Sequence, residues 1–258
     1  MSPADHLLQH SFGAAAVEYA EHRPDYAEAA LRWALEPAPG RRVLDLGAGT
    51  GKLTATLVAL GEDVVAVEPD PAMLRQLRRA LPTVPAHSGS AEAIPLPDAS
   101  VDAIVAGNAL HWFDMDVAGP EMARVLAPGG VLAGLWNVLD DRVGWIADLE
   151  RVSGAAAIGP RDTLSSWRAV TEGAHLPRSG RTARFGSPEQ AEFPHGQRRT
   201  ADSLVATLAT RAGVLVMSGN ELEFTLGRIR AFLAGRSETA HGDFVLPMLT
   251  GVLRTRRL

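Results

Sequence analysis

The fold of this 258-residue chain is decided by one stretch, Val43-Leu44-Asp45-Leu46-Gly47-Ala48-Gly49-Thr50-Gly51. Its aliphatic start predicts a buried strand, and its alternating glycines allow a sharp turn and a close approach of the backbone to a ligand. After the turn, Leu53, Leu57 and Leu60 recur at helical spacing. A strand, a glycine turn and a helix in succession predict a ligand site at the carboxyl end of the strand, where open α/β sheets bind ligands.

The spacing of these glycines indicates which ligand the turn suits. A dinucleotide fingerprint needs its third glycine at position 52, where this chain has Lys52. Asp45 would repel a pyrophosphate, but it could help to hold a ligand that carries a cationic amino group and a sulfonium. The pattern therefore disfavours a nucleotide oxidoreductase, although glycines in a βα crossover can also serve packing alone.

The flanking segments predict a parallel sheet. Apolar runs alternate with helical patterns through the first half of the chain, as in βαβ units. Asp63–Glu68, Val101–Gly107 and Val131–Trp136 have the composition of strands that are covered on both faces. A weaker run, Val84–His87, supplies the strand between the second and the fourth.

Three local signals predict element boundaries. Asp70-Pro71 predicts an N-cap followed by proline at the first helical position. Pro128-Gly129-Gly130 predicts the end of a third helix before the fifth strand. Phe244–Leu253 predicts a last strand, in which Pro247 indicates a bulge or a break because proline cannot donate to a ladder.

The second half of the chain has a different pattern. Periodicity fades over residues 137–187, which predicts an insertion or cap. An amphipathic helix follows at Ser203–Thr210. A second helix is expected at Gly219–Leu233, opened by a capping box of Ser218 and Glu221.

Composition and charge exclude several classes of protein. With no cysteine, the chain has neither a disulfide framework nor a thiolate nucleophile. A net charge of −5 disfavours a nucleic-acid surface. The chain lacks a signal-peptide pattern at Met1–Gln9 and any apolar run long enough to span a bilayer, which predicts a cytoplasmic protein without a membrane partner. The isolated histidines and acidic residues show no metal-ligand spacing, so no metal is expected.

Polar residues follow the other predicted strands. Glu68 ends the second strand, about twenty residues beyond the glycine turn, where a carboxylate can accept from both hydroxyls of a ribose. Ser90-Ala91-Glu92 follows the third strand, and Asn108-Ala109-Leu110-His111-Trp112-Phe113 follows the fourth. These loops converge on one crevice if the first strand lies between the second and the fourth.

Asp45 to Trp136 resembles the core of the class I S-adenosylmethionine (SAM)-dependent methyltransferases. The His111-Trp112 loop is similar to that of their small-molecule, type 11-like branch. The segment from Phe12 to Tyr26 also resembles this branch. The resemblance implies a Rossmann-like, doubly wound seven-stranded sheet of order 3-2-1-4-5-7-6 with an antiparallel last strand. It implies a single domain over 1–258, divided into an N-terminal helical lid (1–36), a SAM-binding core (41–136), the cap (137–187) and a C-terminal part of the sheet (188–258).

The resemblance also implies a set of cofactor-binding residues. Tyr19 and Arg23 would close over the methionine end of SAM. The glycine turn and Asn108 would hold the methionine moiety, Glu68 the ribose, and Pro69, Met73, Ser90, Ala91 and Glu92 the adenine. Many relatives have Asp where this chain has Ser90, so a serine oxygen, Glu92 or a backbone carbonyl must make the adenine contact there. The full set is Tyr19, Arg23, Asp45, Gly47, Ala48, Gly49, Thr50, Glu68, Pro69, Met73, Ser90, Ala91, Glu92, Asn108 and Ala109.

The resemblance implies methyl transfer by in-line displacement to a small-molecule acceptor, with oxygen favoured over nitrogen or carbon. His111 is the candidate general base, and packing or positioning is its alternative role. Trp112, Trp136, Trp145 and His195 are candidates for the substrate pocket, with core packing as the alternative for the tryptophans. A SAM-binding enzyme that does not methylate, or a noncatalytic SAM-binding module, would share these cofactor motifs. A monomer or homodimer is expected.

Overall fold

A computed structural model describes residues 23–171, 176–177 and 185–258 of the chain. Tyr19 and most of the predicted lid lie outside these residues. The described strands are β1 Arg42–Leu46, β2 Asp63–Glu68, β3 Ala86–Ser88, β4 Val101–Gly107, β5 Leu126–Leu139, β6 Glu189–Arg199 and β7 Phe244–Arg256. The helices are α1 Glu28–Leu35, α2 Lys52–Ala59, α3 Pro71–Ala80, α4 Met115–Val125, α5 Gly144–Ser153, α6 Leu164–Thr171, α7 Ala201–Ala209, α8 Ala212–Leu215 and α9 Gly219–Ala234.

The seven strands form one sheet of order β3-β2-β1-β4-β5-β7-β6, as predicted. Strands β1 to β5 pair in parallel, and β7 is antiparallel to both β5 and β6. Val43 in β1 is opposite Val64 on one side and Ala103 on the other. The first strand therefore lies between the second and the fourth, which is the arrangement that brings the strand-end loops to one crevice.

Two predicted helix N-termini are capped by the side chains that the sequence indicated. The Asp70 carboxylate accepts from the backbone N–H groups of Ala72 and Met73, and Pro71 is the first residue of α3. At the start of α9, the Glu221 carboxylate accepts from the backbone N–H and the hydroxyl of Ser218. Each cap satisfies donors that a helix N-terminus otherwise leaves unpaired.

The predicted start of the fifth strand was wrong. β5 begins at Leu126, directly after α4, and Leu126 pairs with Val101. The next pair joins Val131 to Ala103, so residues 127–130 of β5 are opposite Asp102 alone. Pro128-Gly129-Gly130 is thus an irregularity inside the strand, and the apolar pattern is visible only beyond it. The third strand is also displaced by two residues at its start, to Ala86–Ser88.

The predicted bulge or break at Pro247 was also wrong. β7 continues through Pro247, which is opposite Gly196 in the regular pairing with β6. The Pro247 carbonyl accepts from the Asp140 N–H, one residue past the last β5 pair, Leu139 with Met248. In an antiparallel ladder, the N–H and C=O of one residue face the same neighbour. The missing donor of Pro247 therefore faces the end of β5, and the ladder loses only a terminal bond.

Two apolar layers cover the sheet. Leu44, Ile104 and Leu132 face one layer, which includes α4 and α6, while Val43 and Val131 face the other, which includes α1 and α2. This division follows from the alternation of side chains along a strand. Burial of each such aliphatic side chain contributes about 1.5–3 kcal/mol to the stability of the fold.

In the described parts of the chain, no helix is long and apolar enough to cross a membrane.

A further apolar cluster joins the predicted cap to the C-terminal helices. The segment 137–187 contains the end of β5 together with α5 and α6. Trp145 and Ile146 of α5 pack in one cluster with Ile229 and Leu233 of α9. This contact anchors α5 against the C-terminal part of the sheet.

Candidate active site

A cavity of about 560 Å³ opens at the carboxyl ends of β1, β2 and β4. It brings together fourteen residues that the sequence singled out: Arg23, Gly47, Gly49, Glu68, Pro69, Met73, Ser90, Ala91, Glu92, Asn108, Ala109, His111, Trp112 and Trp136. Asp45, Ala48 and Thr50 are buried and are not among the residues that line it. The observed strand order therefore brings the strand-end loops to one crevice, as the sequence predicted.

The glycine turn holds the backbone in conformations that other residues rarely adopt. Gly47 has a φ of +71°, and a Cβ there would lie 2.9 Å from the Ala109 Cβ. Gly49 has a φ of +57° with open space where its Cβ would be. The N–H groups of Gly47 and Ala48 both donate to the Val67 carbonyl, at 2.9 and 3.1 Å. These bonds bring the turn against the end of β2.

Glu68 is the buried carboxylate at the end of β2. Its Oε2 accepts from the Gly49 N–H and its Oε1 from the Asp70 N–H, both at 2.8 Å. The residue is 6% exposed and lines the cavity. Since each carboxylate oxygen accepts about two hydrogen bonds, each retains capacity for a second donor. The two hydroxyls of a ribose supply such a pair of donors.

Burial shifts the titration of two carboxylates beside the turn. It raises the pKa of Glu68 to about 7, against the lowering effect of the Asp70 and Gly49 N–H groups. It also raises the pKa of Asp45 to about 7, although the Thr54 hydroxyl donates to Asp45 at 2.6 Å. Both groups are therefore partly protonated near neutral pH. A ligand that brings donors or positive charge favours their ionised forms.

Two buried polar atoms at the turn have no hydrogen-bond partner among the described residues. They are Oδ1 of Asp45 and Oγ1 of Thr50. A buried, unsatisfied polar atom costs about 1–3 kcal/mol. Both atoms belong to the segment of the glycine turn, and neither is exposed to the cavity.

Asn108 directly follows β4 and has a backbone conformation in the left-handed region. Its φ is +51°, a region uncommon for residues other than glycine and best tolerated by asparagine, aspartate and histidine. The Asn108 N–H donates to the Leu135 carbonyl at 2.8 Å, and its Nδ2 donates to the Tyr26 hydroxyl at 3.0 Å. Tyr26, which the sequence did not single out as a site residue, therefore holds the Asn108 side chain through its hydroxyl.

His111 is held by a tryptophan. The Trp136 Nε1–H donates to Nδ1 of His111 at 3.3 Å, and the Trp112 ring centroid lies 4.8 Å from that of His111. Because an indole nitrogen is only a donor, His111 Nδ1 is the acceptor. The neutral imidazole therefore carries its proton on Nε2.

The cavity extends beyond the residues that the sequence predicted. We call this part the far end: it comprises His111–Phe113, Trp136 and the lining residues of the segments 155–162 and 211–213. The Asp162 carbonyl accepts from the Leu139 N–H, which places the segment 155–162 at the carboxyl end of β5. Glu68 lies at the end of β2, three strand spacings away, or about 14 Å.

The far end contains an ion pair. Arg211 Nη1 lies 2.5 Å from Asp162 Oδ1, and both side chains are mostly buried. Asp162 Oδ2 also accepts from the Gly159 N–H at 2.8 Å. Arg161 lines the cavity beside them. No sequence signal pointed to these residues, because they come from two irregular segments that are brought together only by packing.

Arg23 lines the cavity and is bound to the end of α7. Its Nε donates to Thr210 Oγ1 at 3.1 Å and its Nη2 to the Thr210 carbonyl at 3.0 Å. The side chain is buried. Arg23 thus connects the described start of the chain to the segment that enters the far end.

Two predicted substrate residues do not reach the cavity. Trp145 packs edge-on against Phe244 at 5.8 Å, because the buried face of α5 is turned toward α9. His195 lies on the edge strand β6 with its Nε2 3.3 Å from Thr250 Oγ1, and burial lowers its pKa. The strands β5 and β7 separate it from the end of β4.

Within the described ranges, no group of three or more potential metal ligands occurs.

The cavity and sheet define a SAM-binding methyltransferase fold, and comparisons with known proteins agree. A family model described as a methyltransferase domain matches residues 44–134. The chain is 41% identical over 245 residues to an uncharacterized methyltransferase of Mycobacterium tuberculosis, covering 95% of this chain and 94% of that one. It is 42% identical over 134 residues to the malonyl-[acyl-carrier protein] O-methyltransferase of Methylococcus capsulatus, covering 48% of each.

A solved structure shows the same architecture. A candidate type II methyltransferase from Anaeromyxobacter dehalogenans superposes with a TM-score of 0.61 at 28% identity, covering 91% of this chain and 97% of that one. The chain therefore belongs to the class I SAM-dependent methyltransferases. It is an enzyme, and SAM is its methyl donor.

Proposed function

We propose that this enzyme transfers the methyl group of SAM to an oxygen atom of a small-molecule acceptor by in-line displacement. The observation that carries the proposal is a cavity that spans from Glu68 at the end of β2 to Asp162 at the end of β5. One end has the groups that suit the cofactor, and the far end is left for the acceptor.

The cofactor end has a donor and acceptor set that matches SAM. Glu68 would accept from both ribose hydroxyls, while the glycine turn and the Asn108 amide oxygen would hold the methionine moiety. Pro69, Met73 and the residues 90–92 would surround the adenine. Bound there, SAM supplies a methyl group that is already activated as an electrophile.

The far end would hold the acceptor against that methyl group. Residues of the segments 155–162 and 211–213 line it, which supports the proposal that part of 137–187 acts as a cap. A volume of about 560 Å³ lies within the roughly 300–1,000 Å³ of small-molecule sites. A space of this size that is shared with SAM supports a small acceptor rather than nucleic acid. Holding it in line can supply roughly 7–11 kcal/mol of the barrier reduction.

The name of one relative supports the proposal that the acceptor atom is oxygen. The Methylococcus capsulatus relative is named for O-methylation, and the aligned part covers 48% of this chain. The likeness supports an oxygen acceptor, and the small cavity supports a metabolite.

The proposal is tested with the purified enzyme, SAM carrying a tritiated methyl group, and a deproteinised metabolite extract of the source cells. We expect label in products of low mass, in amounts that depend on the extract. Label found only in added protein or nucleic acid would contradict the proposal. Cleavage of SAM without a methylated product would instead indicate non-methylating chemistry.

A further inference from the structure

A buried polar network holds the described start of the chain against the antiparallel part of the sheet. Asn137 of β5 and Thr250 of β7 are paired across these strands and are 2% and 0% exposed. The Asn137 Nδ2 donates to the Asp25 carbonyl at 3.0 Å and to the Pro24 carbonyl at 3.3 Å. Because carbonyl oxygens only accept, these two contacts fix the Asn137 amide with its oxygen toward Thr250.

The Thr250 hydroxyl uses its full hydrogen-bonding capacity. It donates to Asn137 Oδ1 at 2.8 Å and accepts from the Ala27 N–H at 3.1 Å. Its third contact is with His195 Nε2 at 3.3 Å, and since the hydroxyl proton is directed at Asn137, the histidine is the donor. His195, which the sequence predicted for the substrate pocket, therefore belongs to this network.

The segment held in this way carries a side chain that reaches the cofactor end. Tyr26 lies between the bound carbonyl of Asp25 and the bound N–H of Ala27, and its hydroxyl accepts from Asn108 Nδ2 at 3.0 Å. A Cβ on Gly107 would lie 2.5 Å from the same hydroxyl oxygen. Gly107 and Asn108 both line the cavity. Tyr26 thus supports the cavity wall at the end of β4.

We propose that Asn137 and Thr250 are positioning residues for cofactor binding. They fix the backbone around Tyr26, and Tyr26 in turn fixes the Asn108 side chain at the methionine end of SAM. The inference rests on the proposed function, in which Asn108 holds the methionine moiety. A buried network whose members are all paired restricts a segment to one position, since any displacement leaves polar atoms unsatisfied.

Two substitutions of Thr250 test the positioning role. Thr250→Val keeps the shape of the side chain and removes its hydroxyl. We expect this variant to bind S-adenosylhomocysteine (SAH), the demethylated product of SAM, about threefold to tenfold more weakly than the wild type in calorimetry. Thr250→Ser, which keeps the hydroxyl, should recover most of the affinity. Wild-type affinity in Thr250→Val, or an equal loss in both variants, would overturn the inference.

Thr255→Val is the matched control for a purely structural effect. Thr255 is 1% exposed in the same strand, and its hydroxyl donates to the Gly186 carbonyl at 2.9 Å. The variant therefore deletes a buried hydroxyl from β7 without touching the network. It should lower the melting temperature, as Thr250→Val should, and keep the wild-type affinity for SAH. A loss of affinity as large as that of Thr250→Val would indicate a general effect of stability and contradict the positioning role.

A double-mutant cycle tests whether Thr250 acts through Tyr26. Tyr26→Phe removes the hydroxyl that accepts from Asn108 and should weaken SAH binding by about threefold to tenfold. In the Tyr26→Phe background, Thr250→Val should weaken binding by less than about twofold, because the contact that it positions is already lost. Losses that multiply as independent effects would overturn the inference.

Asn108→Gly distinguishes failure of the inference from failure of the proposed cofactor site. Glycine accommodates the φ of +51°, so the variant loses the side chain without backbone strain. We expect SAH binding to be weakened at least as much as in Tyr26→Phe. Wild-type affinity in Asn108→Gly would contradict both the proposed role of Asn108 and the inference. A loss in Asn108→Gly together with wild-type affinity in Thr250→Val would overturn the inference alone.

Discussion

At the scale of single residues, Glu68 illustrates how a ligand-binding group can lower the stability of the ligand-free protein. Its folded-state pKa, raised by burial to about 7 from 4.5, means that the folded protein binds more protons than the unfolded chain between these values. The free energy of unfolding therefore falls as pH rises through this window. Keeping a carboxylate at this position destabilises the ligand-free protein near neutral pH.

Glu68→Gln should remove this pH dependence. We expect the melting temperature of the variant, relative to the wild type, to rise from pH 5 to pH 8. The difference corresponds to roughly 2–3 kcal/mol at most, from the size of the pKa shift. Any pH-independent effect of the glutamine amide on stability would shift the melting temperature equally at pH 5 and at pH 8. Glu223→Gln, on the exposed face of α9, should keep the wild-type slope. Parallel slopes for wild type and Glu68→Gln would rule out the coupling.

The same carboxylate should make cofactor binding depend on pH. Ribose hydroxyls donate to the ionised form, so SAH binding should favour deprotonated Glu68 and release protons. Affinity for SAH should thus increase from pH 6 to pH 8 in the wild type, as measured by calorimetry in two buffers of different ionisation enthalpy. In Glu68→Gln, affinity should be lower by roughly tenfold to a hundredfold and depend less on pH. Equal affinities in wild type and variant at pH 8 would contradict the ribose contact.

At the scale of elements, the turn from β1 into α2 depends on Gly47. Gly47→Ala would strain a residue at φ +71° and place its Cβ 2.9 Å from that of Ala109. We expect a loss of about 1–3 kcal/mol in stability together with weaker SAH binding. Gly227→Ala is the control, since nothing lies within 4 Å of its Cβ in the interior of α9, and it should stabilise by about 0.5–1 kcal/mol. Denaturant unfolding distinguishes the two, and a neutral Gly47→Ala would contradict the role of the turn.

The elements that sequence predicted well are those whose signal is local. β2 and β4 match their predicted bounds, because each strand is buried on both faces and has the aliphatic composition of such a strand. The start of β5 was missed because Pro128-Gly129-Gly130 has the composition of a loop while its backbone is held by β4. Asp162 and Arg211 could not be predicted as neighbours, since they are separated in sequence by 49 residues and meet only in the folded chain.

At the scale of the whole molecule, Trp136 and Trp145 lie in different parts of the fold, although both were predicted to line the substrate pocket. Trp136 lines the cavity and donates to His111, whereas Trp145 joins α5 to the α9 cluster. Substitution of Trp145 should therefore affect stability alone, whereas substitution of Trp136, which is also fully buried, should affect catalysis as well.

Trp136→Phe removes the indole donor and should lower kcat by about threefold to tenfold with little change in SAH affinity. Trp145→Phe leaves an apolar ring in a packed cluster and should lower the melting temperature without changing kcat or KM. Steady-state kinetics and thermal unfolding of both variants check this. A kinetic defect in Trp145→Phe at a temperature where it is fully folded would contradict the separation.

The most direct test is a crystal structure of the enzyme with SAH. We expect both ribose hydroxyls within hydrogen-bond distance of the Glu68 carboxylate, the homocysteine amino group near Asn108, and the sulfur atom facing the far end between His111 and Arg161. A ribose bound away from Glu68, or an adenine bound in the far end, would contradict the account of this cavity.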